Sequence, residues 1–469
     1  MRQPEIAVGI VSRDTIAFTL SGIYSGQGTD IITGRHEVSL SPGGTGVVWN
    51  GTVYPSLEFV PSSYEGDTFT LEGVTIGVDF HWERREDQLF RGTLRIIPNS
   101  SSLTAINLIG VEDYLVSVIS SEMSSSCSLA LLRAHAIISR SWVIAQMEHK
   151  TGSKSEYRAK GMENVKWWDH DDHSLFDVCA DDHCQRYQGV GRVKSPNVLS
   201  AVTGTRGTVL TYDGERLCDT RFSKCCGGVM ERFSSCWEDT DYPYLQIRRD
   251  APDTADFPDL TVEENALKWI ENSPEAFCNT SDTRIISQVL NNYDREYTDF
   301  YRWEETYTQE RISRLVNSRL ETDLGEITDL IPVERGGSGR IVRLLITGTK
   351  GKTVIGKELF IRRVLSESHL RSSAFTVEKI DISPEGVPAQ FRLHGAGWGH
   401  GVGLCQIGAA VMGEKGYSSE DILRHYYPGA ALSRRCCGQP PRDDGPPGPG
   451  WPPSFSPSAA AMGAGGQFR

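Results

Sequence analysis

A helix that is apolar on nearly every face has no stable place except inside a larger body. The stretch "SLALLRAHAIISRSWVIAQ", from Ser128 to Gln146, reads as such a helix, so the rest of the chain must be built around it. The segment just before it is also helical in pattern. Val111, Leu115 and Val118 recur at spacings of four and three, which gathers them on one face. Glu122 comes four residues after Val118 and continues that apolar stripe. Ser124 to Ser126 supply candidate N-caps between the two helices.

A carboxylate in an apolar stripe has two readings. A lone glutamate near a helix end commonly pairs with a cation or caps the next helix. Alternatively, desolvation raises its proton affinity toward what a general acid needs near neutral pH. The following helix offers Arg133, His135 and Arg140, polar residues with no apolar reason to be there. A nearby arginine pulls the affinity the other way, so both signs stay open at this point.

Around this helical region the pattern is β. The first hundred residues hold short β-rich runs such as "EIAVGIV", "TIAFTL", "SLEFV" and "GTLRII", separated by Gly, Ser, Asp and Pro, and predict an antiparallel β region. Residues 261–320 read as helical, and "RIVRLLITGTKGKTVIGKELFIRRVL" as strands joined by Gly-Lys turns. From Arg434 onward Pro, Gly, Ala and Ser dominate without periodicity, which predicts a disordered tail.

Charge narrows the partners. The net charge of −13 over 469 residues, with no basic tract, argues against duplex nucleic acid, whose binding rests on neutralising phosphates. No run of about 18 apolar residues is present, so no transmembrane helix is expected. The opening "MRQPEIAVGIVSRDTIAFTL" lacks the basic, apolar and small-residue regions of a secretory signal, so no signal peptide is visible. Either the protein stays in the cytosol or the chain begins after a leader.

Three stretches carry chemistry. "DHDDHSLFDVCADDHCQRYQG" places His173, Cys179, His183 and Cys184 within twelve residues, with His170 nearby. Imidazole and thiolate are preferred zinc ligands, and four of them close a structural tetrahedron. Aspartates at 169, 171, 172, 177, 181 and 182 could orient the histidines. Adjacent His183 and Cys184 are a demanding pair for one ion, and the bland alternative is a polar loop.

"CDTRFSKCCGGVMERFSSCW" holds Cys218, Cys225, Cys226 and Cys236, compatible with a disulfide, a second metal site or plain buried thiols. The eleven cysteines are odd in number, so they cannot all pair within one chain. "HGAGWGHGVGLCQIGA" sets His394, Trp398, His400 and Gln406 among glycines. It lacks the order of a phosphate loop and suits a groove floor that flat rings approach, or else a tight turn at a junction.

Taken together, "GVEDYLVSVISSEMSSS", "LLRAHAIISRSW", "DVCADDHCQRYQG", "FSKCCGGVMERFSSCWEDTDYPYL", "SGRIVRLLITG" and "HGAGWGHGVGLCQIGAAVMGEKGYSSEDILRHYYPGA" resemble the SpoIID/LytB family of bacterial cell-wall proteins, in family order from about residue 92 to 430. The resemblance implies a lytic transglycosylase acting on peptidoglycan glycan strands, with Glu122 as the catalytic carboxylate. It also implies a structural Zn2+ at His173, Cys179, His183 and Cys184. Matching motif positions make Arg140, Gln185, Tyr187, Ser223, His400, Gln406 and Tyr426 the candidates for holding the sugar.

LytB-type members imply an alternative, a non-catalytic wall binder that enhances a partner amidase. A zinc-dependent hydrolase is a third class. The family implies a place in the cell envelope, outside the cytoplasm. Cys405, Ile407 and "KCCGG" depart from the family's usual small polar residues in loops expected to face substrate.

The expected fold class is α+β, with β-rich N-terminal and C-terminal segments around a helical catalytic region. The expected division is an N-terminal β-rich region over 1–91, a SpoIID-like domain over 92–433 and the tail over 434–469. Within the domain lie a helical core (111–150), a zinc loop (165–190), a helical and β insertion (245–390) and the glycine-rich groove motif (394–430).

Overall fold

The computed structural model describes residues 3–76, 83–124, 126–148, 157–160, 163–167, 173–181, 184–192, 195–252, 257–289 and 299–435. His170, His183 and the tail from 436 onward lie outside the described residues. The fold is α+β.

The N-terminal strands form one largely antiparallel sheet. Its order runs from 178–179 through Glu5–Arg13, Ser102–Gly110, Thr93–Asn99 and Leu57–Pro61 to Thr15–Gly26 and Thr29–Leu40. The sheet runs without a break across the boundary drawn at 91/92, because Ser102–Gly110 pairs with Glu5–Arg13 and Thr93–Asn99 with Leu57–Pro61. Alternating Phe18, Phe59, Phe69, Phe90, Leu94 and Ile96 are all buried on one side, the period-2 pattern that a half-buried strand requires.

Helices α1 (Val111–Glu122) and α2 (Leu129–Glu148) follow that sheet. Val111, Leu115 and Val118 are buried as the stripe predicts, and Glu122, the last residue of α1, is half-buried. The N-cap of α2 is Ser128, whose Oγ accepts the Leu131 N–H at 3.2 Å. Ser124 and Ser126 instead hydrogen-bond each other, because they lie too far upstream to reach the first helical N–H groups. As the sequence demands, α2 is buried along most of its length.

Around α2 lie α1, α3 (Pro196–Gly204), the strand Thr208–Tyr212 and two later helices. The Ser141 Oγ accepts the Leu210 N–H at 2.8 Å, and Thr220 Oγ1 donates to the Ile138 carbonyl at 2.6 Å. The strand Ala431–Arg434 pairs with Thr208–Tyr212, so ordered chain extends past the expected start of the tail at 434.

The insertion differs from expectation in one place. Between α4 (Glu263–Asn272) with the short α5 (Thr283–Ile286), and α6 (Gln309–Leu320), the chain forms a strand, Arg302–Thr308. Trp303 and Tyr307 are buried on its inward face, and it pairs with Pro388–Ala396. Long-range pairing overrides local pattern there.

The strands Ile341–Gly348 and Gly351–Gly356 form the hairpin read from the Gly-Lys turn, and Ile327–Arg335 pairs with the first of them. The end of that stretch, expected to be strand, is instead the helix α7 (Glu358–Val364), because Phe360, Ile361 and Val364 are buried at helical spacing. The last helices, α8 (Gln406–Glu414) and α9 (Ser419–Tyr426), return to pack on α2. Ser418 and Asp421 cap α9 reciprocally. No helix among the described residues is long and apolar enough to cross a membrane.

Candidate functional site

Glu122 stands where α1 stops. The Met123 N–H bonds back to the Ile119 carbonyl at 3.0 Å, and the Ser124 N–H is taken by the Gln288 carbonyl at 2.8 Å, so the exit from the helix is fixed on both sides. One carboxylate oxygen of Glu122 accepts the backbone N–H of Arg186 at 3.1 Å. Among the described residues that is its only hydrogen-bond partner, and it forms no ion pair. One oxygen is therefore anchored and the other is open.

Arg186 closes the loop that carries the candidate metal ligands. Its residues 178–179 add a parallel strand to the edge of the N-terminal sheet at Val8 and Gly9. Gly9 is required there, because a Cβ would collide with the Phe176 ring, and that ring packs on His173 at 4.7 Å. One donor atom from each of His173, Cys179 and Cys184 lies within 4.8 Å of the others, with His173 Nε2 and Cys184 Sγ 3.5 Å apart.

The Cys179 N–H points at Cys184 Sγ at 3.4 Å, while burial, the largest cause, pushes the Cys184 thiol well above its ordinary range. Three borderline-soft donors at this spacing fit a tetrahedral zinc. The expected fourth ligand, His183, lies outside the described residues. Asp177 accepts the Ala7 N–H at 2.8 Å, which pins the loop to the sheet.

Most of the residues expected to hold the sugar are placed inside. The guanidinium of Arg140 is 1 % exposed and makes a two-pronged pair with Glu112 at 3.0 and 2.8 Å. It also donates to the Thr208 carbonyl at 3.0 Å. Gln185 is buried between the Tyr114 hydroxyl and the Ser139 carbonyl. Tyr187 donates to Asn107 Oδ1 at 2.6 Å and stacks on Tyr114. Gln406 meets His135 Nε2 at 3.3 Å, and Tyr426 donates to Asp250 at 2.9 Å. These side chains hold the scaffold, so any contact with a ligand from them would need the fold to open.

Ser223 is buried as well, and His400 is half-buried. The short strand Phe222–Ser223 pairs in parallel with Leu404–Cys405, which lays the glycine-rich loop beside it. Ser223 Oγ is buried without a protein partner. His400 is half-buried, packs edge-on to Trp237 at 4.9 Å and accepts the Val402 N–H through Nδ1 at 3.0 Å. Burial first, then Arg221, Arg340 and Arg362, hold its imidazole well below its usual range, so it is neutral. His394 instead stands on the strand Pro388–Ala396, 3.4 Å from both Glu304 and Glu378, apart from that loop.

The close approach of the two segments explains the glycines. Gly403 has φ +72°, and a Cβ there would strike the Arg221 carbonyl. Gly401, at φ +75°, leaves room for the buried Arg340 guanidinium, which donates to the Gly399 and Cys226 carbonyls.

Lys224, not singled out from sequence, follows Ser223 and donates to the Val289 carbonyl at 2.6 Å. Since Gln288 holds Ser124, the end of α1 and Lys224 grip neighbouring residues of one segment. Its signal was a lone cation in the "FSKCCGG" turn. A groove of about 520 Å³ is lined by Trp167, Arg232, Asp239, Arg343 and Lys357, and Glu122 takes no part in it.

Residues 99–212, from the strand before α1 to the strand after α3, match the family described as Stage II sporulation protein. Glu122 and the metal-loop residues fall within that match. The chain is a member of the SpoIID/LytB family.

Residues 231–403 match a second family, described as a domain of unknown function. Among curated relatives, the amidase enhancer of Bacillus subtilis (strain 168) is 24% identical over 336 residues, covering 68% of this chain and 40% of that protein. The chain thus corresponds to less than half of that relative. Stage II sporulation protein D of Bacillus amyloliquefaciens is 22% identical over 342 residues, covering 70% of this chain and 76% of that protein. The same-named protein of Bacillus subtilis (strain 168) is 23% identical over 333 residues, with coverage of 70% and 76%. The SpoIID-type region holds Glu122 and the metal loop, and the second matched region supplies the glycine-rich loop packed beside Ser223 and Lys224.

Proposed function

We propose that the protein is a peptidoglycan lytic transglycosylase in which Glu122 serves as acid and then as base, at work in the cell envelope. The observation that carries this reading is the state of that side chain: half-buried at the end of α1, with one oxygen held by the Arg186 N–H and the other open. Such a carboxyl is oriented without being neutralised by a cation.

In the proposed reaction, protonated Glu122 gives its proton to the oxygen between N-acetylmuramic acid and N-acetylglucosamine as the bond from C1 to that oxygen breaks. The muramoyl C6 hydroxyl then bonds to C1 and its proton passes to the Glu122 carboxylate. The products are a free hydroxyl on one side and a 1,6-anhydro ring on the other. No water enters, and the enzyme regains its starting protonation. Most glycosidases use two carboxylates, but attack from within the same sugar supplies a high effective concentration that lessens the need for the second.

His173, Cys179 and Cys184, with His183 as the expected fourth ligand, are proposed to hold a structural zinc. When bound, the ion would fix the loop whose end presents the Arg186 N–H to Glu122. His400, at the glycine-rich loop, and Lys224 are proposed to line the sugar groove.

The test is digestion of purified, peptide-stripped glycan followed by mass spectrometry of the ends. Wild-type protein should release 1,6-anhydromuramic ends, and Glu122→Gln should release none while still binding the glycan. The amidase enhancer among the relatives favours a second reading, a wall binder that stimulates a partner amidase. If the wild-type protein yields no anhydro ends yet binds glycan and accelerates an amidase, that reading replaces the first.

A further inference from the structure

Three cysteines and an aspartate far apart in sequence meet beside the glycine-rich loop. Cys226 Sγ and Cys278 Sγ are 3.5 Å apart, and Cys226 Sγ lies 3.5 Å from Asp250 Oδ2. The Cys226 N–H points at Cys405 Sγ at 3.2 Å. Donor atoms of Cys226, Asp250, Cys278 and Cys405 all lie within 4.8 Å of one another, and all four residues are buried.

The spacing is informative. With Zn–S bonds of about 2.3 Å, tetrahedral thiolates sit roughly 3.8 Å apart, so this set surrounds the volume of one ion. An iron–sulfur cluster spreads its cysteine sulfurs more widely.

Asp250 gives an independent indication. Its side chain is fully buried, and its one ion-pair partner among the described residues is the His425 imidazole at 3.3 Å. The Tyr426 hydroxyl and the Cys278 N–H complete its contacts at 2.9 and 3.1 Å. A buried carboxylate without lysine or arginine is costly unless a cation accompanies it. His425 and Tyr426 hold it as outer partners hold a metal-binding carboxylate. Gly408 leaves the room, since a Cβ there would strike both Asp250 and the Tyr426 hydroxyl.

We propose that Cys226, Cys278, Cys405 and Asp250 bind one zinc-class divalent cation in a closed, structural site, distinct from the His173 loop and outside the region that matches the sporulation family. Binding displaces the thiol protons of Cys226, Cys278 and Cys405 to solvent. The ion ties the turn after Lys224, the segments at 250 and 278 and the N-terminus of α8 into one floor under the glycine-rich loop. The proposal does not depend on the transglycosylase reading.

The experiment uses the full chain produced with zinc, in wild type and in a variant with His173→Ala and Cys184→Ala that empties the loop site. After exhaustive dialysis, that variant should retain about one equivalent of zinc by mass spectrometry of the metal. Cobalt put in its place should give intense thiolate-to-metal absorption in the near ultraviolet. Adding Cys278→Ser and Cys405→Ser should remove both.

On the wild type, alkylation mapping should label Cys226, Cys278 and Cys405 only after a chelator is added, which needs no variant to fold. The proposal is overturned if the loop-site variant, folded by circular dichroism, holds no metal. It is equally overturned if the chelator leaves alkylation unchanged, or if unreduced peptides show Cys226 joined to Cys278.

Discussion

Arg140 offers the sharpest separation of scaffold from substrate contact. Its guanidinium is 1 % exposed and Glu112 is 13 % exposed, with both nitrogens of the fork engaged at 2.8 and 3.0 Å. The remaining donors reach the Thr208 carbonyl and, at longer range, those of Ala136 and Val202. It thereby joins the first turn of α1 to the middle of α2 and the end of α3. Truncation in Arg140→Ala leaves Glu112 desolvated with only the Gly207 N–H, at 3.2 Å.

Breaking such a buried pair costs about 3–5 kcal/mol. Removing both charges in Arg140→Met with Glu112→Leu should recover a large part of that loss, because the desolvation penalty goes with them. Urea unfolding followed by tryptophan fluorescence measures each corner of the cycle. The reasoning fails if Arg140→Ala unfolds within about 0.5 kcal/mol of wild type, the range of an ordinary surface change, while glycan binding falls. In that event the side chain reaches sugar and the scaffold role is wrong.

Acid should destabilise the fold through His135. This residue is fully buried, and burial first, then Lys224, pushes its imidazole down to about 3. Since the unfolded chain takes up a proton near pH 6.5 and the folded one does not, stability is lost as pH falls from about 6.5 toward 3, by up to about 1.4 kcal/mol per pH unit. His135→Gln should flatten that slope in unfolding measured between pH 7.5 and 5, and equal slopes would contradict the assignment. Gly403→Ala should lose at least the roughly 1–3 kcal/mol of backbone strain at φ +72°, plus the clash with Arg221. Gly416→Ala, at φ +85° with open space around it, is the control that carries strain alone, and similar losses for both would remove the packing argument.

How much of this could be read beforehand follows from the range of each interaction. The burial of α2 was legible because every face of it is apolar, and Glu122 was legible because it interrupts a short-range period. His173, Cys179 and Cys184 sit within one loop, so the nearness of their donor atoms could be read from the spacing. Arg140 was half legible: an arginine in a helix buried all round must find its partner inside, but nothing local names Glu112 or tells an inward fork from a ligand-binding one.

Cys226, Asp250, Cys278 and Cys405 were not legible as a set. They are separated by 24, 28 and, from Cys226 to Cys405, 179 residues, and only tertiary pairing joins them. Yet two of them sit at places the sequence had marked as odd: Cys226 in the doubled cysteine after Lys224, and Cys405 in a loop expected to face substrate. The two departures lie on opposite sides of one parallel strand pair, Ser223 facing Cys405 in register. Sulfur from these two segments that meets beside one buried carboxylate is better explained by one shared demand for a cation than by two separate contacts to a substrate.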